Sequence, residues 1–133
     1  PAMPTDAAGQ AYLEKKKGEP GVTALASGLM YKVLETGAGT KSPGPSTPCD
    51  CHYEGKLIDG TKFDSSYDRG APLSFAPNQV IKGWTEAMQL MHEGDKWELY
   101  IPSELGYGDK GTPGGPIPGK AALVFQMQLM KIK

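Results

Sequence analysis

Apolar and polar side chains alternate at every second residue over much of this 133-residue chain. The alternation covers residues 29–34, 49–54, 96–101 and 123–130, and the pair Leu73 and Phe75 repeats it briefly. A period of two turns one set of side chains toward a core and the other toward solvent, as in half-buried antiparallel strands. The pattern therefore favours an antiparallel sheet as the main element of the fold.

A turn signal joins two further strand segments. Asp59-Gly60 lies between residues 56–58 and 61–63. An Asp-Gly pair flanked by strand residues is the strongest short-range signal of a hairpin. The sequence therefore predicts a β-hairpin with its tip at this pair.

One segment, residues 77–94, departs from the alternation. Its apolar side chains recur at steps of three to four residues, which is the spacing of a helical stripe. The stripe consists of Val80, Trp84, Ala87, Met88 and Met91. We expect Asn78 to cap this helix and Gly94 to end it.

A second helix is predicted near the start of the chain, over residues 5–17. Thr5 or Asp6 can cap it, and Gly18 with Pro20 ends it. Its apolar side is narrow, so we expect it to pack loosely on the domain. Together the patterns define an α+β fold, an antiparallel sheet wrapped around one short amphipathic helix, with an additional N-terminal helix.

Composition excludes several classes of protein. The net charge is −1, so the chain has no field of one sign that would attract nucleic acid or an anionic membrane surface. No apolar stretch approaches the roughly 20 residues of a membrane span. The 18 glycines and 12 prolines are concentrated in residues 36–48 and 106–119. This distribution indicates two loops in an otherwise ordinary globular chain.

The cysteines bear on the cellular compartment. Cys49 and Cys51 are separated by one residue, which on a strand is too far for an easy disulfide, so we expect two free thiols. Free thiols suit a reducing compartment. Pro1-Ala2 ahead of Met3 is typical of a cloning remnant before a native start, and no leader sequence follows. We therefore expect a cytoplasmic location. The alternative is a protein whose leader has been removed, which would leave the same sequence.

Two motifs with possible chemistry are better explained as structure. Residues 106–111 match G-x-G-x-x-G, but the Thr-Pro-Gly-Gly-Pro sequence that follows cannot form the helix of a nucleotide-binding loop. A wide turn is the favoured interpretation. Cys49, Cys51 and His52 lack the spacing of a metal site, which favours buried thiols and no bound metal.

The sequence contains few residues in patterns that suit nucleophilic or acid–base catalysis. His52 and His92 are the only histidines, and no G-x-S-x-G turn accompanies them. Asp59, Asp64 and Asp68 offer the paired carboxylates of a glycosidase, although acids in loops are mostly just solvated. A Ser-His-Asp enzyme and a glycosidase stay open as rival interpretations.

Aromatic residues come from five different segments. They are Tyr53, Phe63, Trp84, Tyr107 and Phe125. Taken alone, such residues are most simply part of the core. A tryptophan at the start of the predicted helix, together with a tyrosine in a Gly/Pro loop, also suits an apolar pocket with a few polar groups at its rim.

Three stretches of sequence resemble a known family. HYEGKLIDGTKFDSSYDRGAP (52–72), VIKGWTEAMQLMHEGDKWELYIPSELGYG (80–108) and ALVFQMQLMKIK (122–133) closely resemble the FK506-binding-protein (FKBP) class of peptidyl-prolyl cis-trans isomerases. The resemblance indicates an isomerase domain over residues 27–133, with an N-terminal remnant, helix and linker in residues 1–26. The leading helix followed by LASGLMYKVLETGAG resembles the Mip-like branch. Because this helix is too short for a dimerising arm, we expect a monomer.

The resemblance implies a strongly bent antiparallel sheet of five or six strands over one short helix. It also implies a site for substrate and macrolide, composed of Tyr53, Phe63, Asp64, Arg69, Leu73, Val80, Ile81, Trp84, Tyr107, Ile117 and Phe125. Within that site, the implied catalytic residues are Asp64, Tyr53 and Tyr107. Trp84 is the expected floor, and the Ile81 N–H and the Tyr107 hydroxyl are expected to donate to carbonyls of the ligand. Arg69 is the expected partner of Asp64, and no cofactor or metal is implied.

The implied activity is the rotation of X-Pro bonds in peptides and folding proteins. Such a pocket binds the twisted amide without covalent chemistry, and FK506 or rapamycin-type macrolides are its implied ligands. The alternative is an FKBP-fold binding or chaperone module with little isomerase activity.

The sequence departs from the family pattern at four places, in the pocket wall, before the Val-Ile pair and in the later loop. Leu73 stands where an aromatic residue is usual, and Gln79 stands where an acidic residue is usual. Thr112 replaces a frequent histidine, and Gly115-Pro116 lengthens the loop by about one residue. These changes bear on substrate preference and macrolide affinity.

Overall fold

The computed structural model describes residues 6–108, 117 and 119–132, without the side chain of Arg69. It contains three α-helices and seven β-strands within those residues. The helices are α1 (Ala7–Lys17), α2 (Ser66–Arg69) and α3 (Lys82–Leu90). The strands are β1 (Val22–Ala24), β2 (Met30–Glu35), β3 (Cys49–Leu57), β4 (Lys62–Ser65), β5 (Leu73–Phe75), β6 (Lys96–Ile101) and β7 (Leu123–Ile132). Single 3₁₀ turns occupy Pro77–Gln79 and Ser103–Leu105.

All seven strands belong to one antiparallel sheet, which confirms the predicted fold class. The strand order is β1-β2-β6-β7-β3-β4, and β5 pairs with β3 beside β4. The sheet has more strands than the expected five or six because two short strands of three residues each, β1 and β5, lie at its edges. Strands β3 and β7 show alternating burial along most of their length, as their period of two predicts.

The hairpin between β3 and β4 has its tip at Asp59-Gly60, as predicted. The Leu57 N–H donates to the Thr61 carbonyl at 2.9 Å, and the Thr61 N–H donates to Asp59 Oδ1 at 2.9 Å. Gly60 has φ +91°, a left-handed conformation that glycine adopts at little cost. The local sequence is therefore sufficient to place this turn.

The predicted helix over residues 77–94 is shorter than expected. Residues 77–79 form a 3₁₀ turn, residues 80 and 81 are extended, and α3 begins only at Lys82. The expectation that Asn78 caps the helix is wrong, because Ile81 occupies the N-cap position. The expectation that Gly94 ends it is also wrong, because the helix ends at Leu90.

The contacts of one side chain inside α3 explain why the helix begins only at Lys82. The Thr85 hydroxyl donates to the Pro77 carbonyl at 2.6 Å, with the Val80 and Ile81 carbonyls at 3.4 and 3.2 Å. The turn before the helix therefore has a polar partner for carbonyls that a continuous helix would have satisfied itself. Val80 and Ile81, which are partly buried, pack against the core from this extended segment.

Helix α3 lies against the sheet through its apolar stripe. Trp84, Ala87, Met88 and the following Met91 are all buried, as the three-to-four-residue spacing predicts. They join one core cluster with the inward-facing residues of β3, β6 and β7.

Helix α1 matches its prediction closely. Asp6 caps it by accepting the Gly9 N–H at 2.7 Å, and Gly18 follows its last residue. Only Gly9 within it is buried. The Asp6 N–H donates to the Lys120 carbonyl at 2.8 Å, and the Lys16 ammonium lies 5.2 Å from the centroid of the Tyr100 ring. The helix therefore docks on the domain through a few polar and cation–π contacts.

A buried carboxylate joins the loop after β2 to the turn after α3. Asp95 is 5% exposed, and its two oxygens accept the Gly37 N–H at 2.7 Å and the His92 N–H at 2.9 Å. A Cβ at Gly37 would lie 2.3 Å from the Glu93 carbonyl oxygen, so only glycine allows this approach. The aspartate therefore satisfies two backbone donors at a point where the chain is closely packed.

We predict that Asp95→Ala lowers the free energy of unfolding by about 2–4 kcal/mol, because two N–H groups lose a charged acceptor. Urea denaturation of the two proteins measures the change. Asp59→Ala, which removes an exposed turn acceptor, is the matched control and should have a much smaller effect. Equal losses for the two variants would contradict the structural role of Asp95.

Candidate ligand pocket

A cavity of about 470 Å³ opens between the curved sheet and the start of α3. This volume lies within the range typical of small-molecule sites. The side chains that line it are Tyr53, Phe63, Asp64, Leu73, Phe75, Gln79, Val80, Ile81, Trp84, Tyr107 and Phe125. The surface is thus largely aromatic and aliphatic, with polar groups from only a few residues.

The Trp84 indole lies at the centre of the aromatic cluster. Its ring centroid is 4.9 Å from that of Tyr53 and 4.9 Å from that of Phe125, both edge-on, and 5.6 Å from that of Phe75. Trp84 is 6% exposed. Edge-to-face contacts at these distances are favourable and fix the relative orientation of the rings. The cavity therefore has rigid apolar walls.

A glycine gives two of these walls their positions. Gly55 on β3 pairs directly with Phe125 on β7. A Cβ at Gly55 would lie 2.6 Å from Phe125 Cε1 and 2.7 Å from Phe63 Cζ. The two phenyl rings meet edge-on, with centroids 5.5 Å apart, over the space that a larger residue would fill. Residue 55 must therefore be glycine for the wall to keep this shape.

Asp64 is the acidic side chain among the described lining residues, and it accepts hydrogen bonds from Tyr53 and Ser65. Asp64 Oδ2 accepts the Tyr53 hydroxyl at 2.7 Å, and Asp64 Oδ1 accepts the Ser65 N–H at 2.9 Å. A carboxylate beside an apolar surface is costly unless hydrogen bonds compensate it. The two bonds stabilise the charge and orient the Tyr53 ring at the same time.

Tyr107 lies at the rim, where it is 40% exposed. Burial raises the pKa of Tyr107 above its usual value, and the negative charge of Asp64 raises it further. The Tyr107 hydroxyl therefore keeps its proton throughout the physiological pH range and is a hydrogen-bond donor at the mouth of the cavity.

The structure brings together nine of the eleven residues expected from the sequence. Ile117, which was expected among the binding residues, is buried in the core and is not among the residues that line the cavity. The side chain of Arg69, expected to pair with Asp64, lies outside the described part of the chain. Thr112 and residues 115–116 also lie outside it.

Phe75 and Gln79 also line the cavity. Phe75 was not expected there, and Gln79 was expected only as a departure from the family pattern and not as a binding residue. A signal for Phe75 was present, because residues two apart on a strand share a face, and Leu73 was already assigned to the pocket. The resemblance singles out Gln79 only as a departure, because its place in the lining depends on the 3₁₀ turn that precedes α3.

The rival chemistries find little support in this geometry. His52 Nδ1 lies 2.8 Å from the Ser66 hydroxyl oxygen, but Ser66 is fully buried and also accepts the Tyr53 N–H at 2.7 Å. Neither residue lines the cavity. Asp59 and Asp68 do not line it either, so the described lining residues do not include, beside Asp64, the second carboxylate that a glycosidase requires.

Within residues 6–108, 117 and 119–132, no cluster of three or more His, Cys, Asp or Glu side chains is placed to hold a metal ion. No helix in the same residues combines the length and apolar character needed to cross a membrane.

Two family descriptions match the chain. The one described as FKBP-type peptidyl-prolyl cis-trans isomerase matches residues 39–130, and the one described as a domain amino terminal to FKBP-type peptidyl-prolyl isomerase matches residues 2–33. The chain therefore belongs to the FKBP-type peptidyl-prolyl cis-trans isomerase family. The boundary expected after residue 26 stays a prediction.

Curated relatives support the Mip-like branch. The macrophage infectivity potentiator of Trypanosoma cruzi is 48% identical over 125 residues, which cover 94% of this chain and 63% of that protein. The peptidyl-prolyl cis-trans isomerase Mip of Coxiella burnetii is 48% identical over 124 residues, which cover 93% of this chain and 53% of that protein. The resemblance seen in the sequence is confirmed, and the chain spans less than two thirds of each relative's length.

Solved structures share the architecture. The crystal structure of FkpA from Escherichia coli has a TM-score of 0.89 at 45% identity, over 96% of this chain and 58% of that one. The crystal structure of a peptidyl-prolyl cis-trans isomerase from Pseudomonas syringae has a TM-score of 0.86 at 37% identity, over 95% of this chain and 91% of that one. Both similarities confirm the fold.

The two cysteines lie in the core as free thiols, as the sequence predicts. Burial raises the pKa of Cys51 to about 12 and also raises the pKa of Cys49. The nucleophilic form of a cysteine is the thiolate, so burial and protonation together make these side chains unreactive in the folded protein.

We predict that the folded protein resists thiol reagents at pH 8, whereas both thiols react once guanidinium unfolds it. Because the thiol pKa values are higher in the folded state, the unfolded state releases protons first as the pH rises. The free energy of unfolding should therefore fall between about pH 9 and pH 12, and this fall should be smaller in Cys51→Ala. Chemical denaturation at a series of pH values measures it. A stability that rises over this range would contradict the prediction.

Proposed function

We propose that this chain is a peptidyl-prolyl cis-trans isomerase that accelerates rotation about X-Pro bonds in peptides and folding proteins. The observation that carries the proposal is the aromatic cavity of about 470 Å³ with Trp84 at its centre. Membership of the FKBP family supports the same activity.

The physical basis is the loss of amide resonance during rotation. An X-Pro bond rotates slowly because resonance gives it partial double-bond character, with a barrier of roughly 18–20 kcal/mol. At the twisted transition state the carbonyl is less polar, and the charge separation of the planar amide is lost. A water-poor apolar site therefore favours the twisted form over the planar one, without a nucleophile, metal or cofactor.

Polar groups at the rim would hold the peptide on either side of the rotating bond. In this proposal, the Ile81 N–H and the Tyr107 hydroxyl donate to carbonyls of the substrate. Holding the flanking chain fixed makes the target bond the one that turns, which lowers the entropic part of the barrier.

An exchange assay tests the proposed activity directly. The cis and trans forms of a short X-Pro peptide are followed by NMR exchange spectroscopy, with and without the protein. Faster interconversion is the expected result. Binding of the peptide without faster interconversion would overturn the proposal in favour of the alternative, an FKBP-fold binding or chaperone module.

We predict that Asp64→Leu lowers kcat/KM by about tenfold while the protein stays folded, because the loss of one charge-assisted hydrogen bond releases Tyr53. Tyr53→Phe removes the same bond from the other side and keeps the carboxylate. If Asp64 acts by orienting Tyr53, the double variant should lose no more activity than either single variant. Wild-type kcat/KM in a folded Asp64→Leu protein would exclude Asp64 from the mechanism.

We further propose that the cavity binds FK506 and rapamycin-type macrolides. The support is its apolar lining and a volume within the range that drug-sized ligands occupy.

For this proposal, we predict that Trp84→Leu weakens macrolide binding by roughly tenfold or more, because it removes the central aromatic surface. Calorimetric titration with FK506 measures the affinity. Trp97→Phe is the control, since Trp97 is equally buried but stacks on Tyr31 outside the cavity. Unchanged affinity in folded Trp84→Leu would place the ligand elsewhere.

Location and oligomeric state are separate proposals. We propose a cytoplasmic location, supported by the two free thiols of Cys49 and Cys51. A relative from Legionella longbeachae is named outer membrane protein MIP, so fractionation of cells that express the natural protein is the appropriate test.

We propose a monomer, supported by α1 having only Gly9 buried and ending in three lysines. Sedimentation at micromolar concentration tests it.

A further inference from the structure

The side chain of Gln79 is held in one orientation at the rim of the cavity. Gln79 Oε1 accepts the Ala76 N–H at 2.8 Å. A backbone N–H can only donate, so the atom that faces it must be the amide oxygen. The amide nitrogen of Gln79, with its two hydrogens, is therefore at the other end of the group.

The turn that carries Gln79 is itself tightly held. The Thr85 hydroxyl donates to the Pro77 carbonyl at 2.6 Å, and the Asn78 N–H donates to the Pro45 carbonyl at 3.0 Å. A donor on such a turn is preorganised, because little conformational entropy is lost when a ligand binds to it.

The polar groups at the cavity differ in whether they already make hydrogen bonds within the protein or can donate one to a ligand. Both oxygens of Asp64 already accept hydrogen bonds, from Tyr53 and Ser65. Tyr107 retains its proton and is a donor. With Gln79 the rim therefore offers two side-chain donors besides the Ile81 N–H, and no lysine or arginine is among the described lining residues. Such a rim suits a ligand that brings hydrogen-bond acceptors.

We propose that Gln79 is a specificity-determining residue that allows the pocket to take proline peptides with an acidic side chain next to the proline. Its amide nitrogen donates to the carboxylate of that side chain. This inference rests on the proposed isomerase function and names a substrate class for the same site.

The test uses two pairs of peptides that differ only in charge. One pair carries Glu or Gln before the proline, and the other carries Glu or Gln after it. NMR exchange gives kcat and KM for each peptide at low ionic strength, with the wild-type protein and with Gln79→Glu. The variant keeps an oxygen to accept the Ala76 N–H, so the turn is preserved while the donor is replaced by a negative charge.

We expect the wild-type protein to use the Glu peptide at least as well as the Gln peptide in one or both pairs. In that pair, Gln79→Glu should lower the Glu-to-Gln ratio of kcat/KM by about fivefold, as expected for two close like charges near water. The change should arise in KM, because the acidic side chain is present in both the ground state and the transition state.

Asn78→Asp is the matched control. It adds the same charge one residue away, on a side chain that contacts Ser46 and does not line the cavity. A larger change in the ratio for Gln79→Glu than for Asn78→Asp supports the inference. Equal or smaller changes in both pairs would overturn it while leaving the isomerase function intact. A wild-type protein without activity on all four peptides would instead overturn the proposed function, and this inference with it.

Discussion

The pairing of a glycine with a phenylalanine in the middle of the sheet determines the shape of the site. Gly55 on β3 is opposite Phe125 on β7 in the longest ladder of the fold, which runs from Cys49 to Leu57. Because Gly55 has no side chain, the rings of Phe125 and Phe63 meet over it, and Phe125 in turn contacts Trp84. A side chain at this position would push both rings outward and change the cavity. One central backbone position thus links the register of the sheet to the geometry of the pocket.

The cavity combines apolar walls with a charge that is already compensated. The Tyr53 hydroxyl and the Ser65 N–H stabilise the Asp64 carboxylate, so it can lie beside aromatic rings without a large desolvation cost. Its charge still reaches Tyr107, whose pKa it helps to raise. A site of this kind acts through its low polarity and its fixed donors. None of the lining residues described here needs to gain or lose a proton for that purpose.

Much of the fold follows from local patterns in the sequence. The alternation in β3 and β7, the Asp-Gly turn and the stripe of α3 each predict the observed element, because each pattern reflects which face is buried. The start of α3 could not be predicted in this way. It depends on the Thr85 hydroxyl, which bonds the Pro77 carbonyl eight residues earlier, and no propensity describes such a contact. The place of Gln79 in the lining depends on the same turn, so the sequence shows it only as a departure from the family pattern. Phe75 shares the face of Leu73 and follows from the strand alternation.

The turn before α3 contributes to stability and to the site at once. The Thr85 hydroxyl donates to its Pro77 carbonyl, and the side chain of Gln79 accepts the N–H of Ala76, which precedes the turn. The next two residues, Val80 and Ile81, line the cavity. Removing the amide oxygen of Gln79 would leave a backbone donor without its partner, so a simple truncation would alter the fold and the site together. Only a replacement that keeps this acceptor separates the two effects. The structure already uses the amide oxygen of Gln79 to accept the Ala76 N–H, and it is the amide nitrogen that the proposed substrate contact uses.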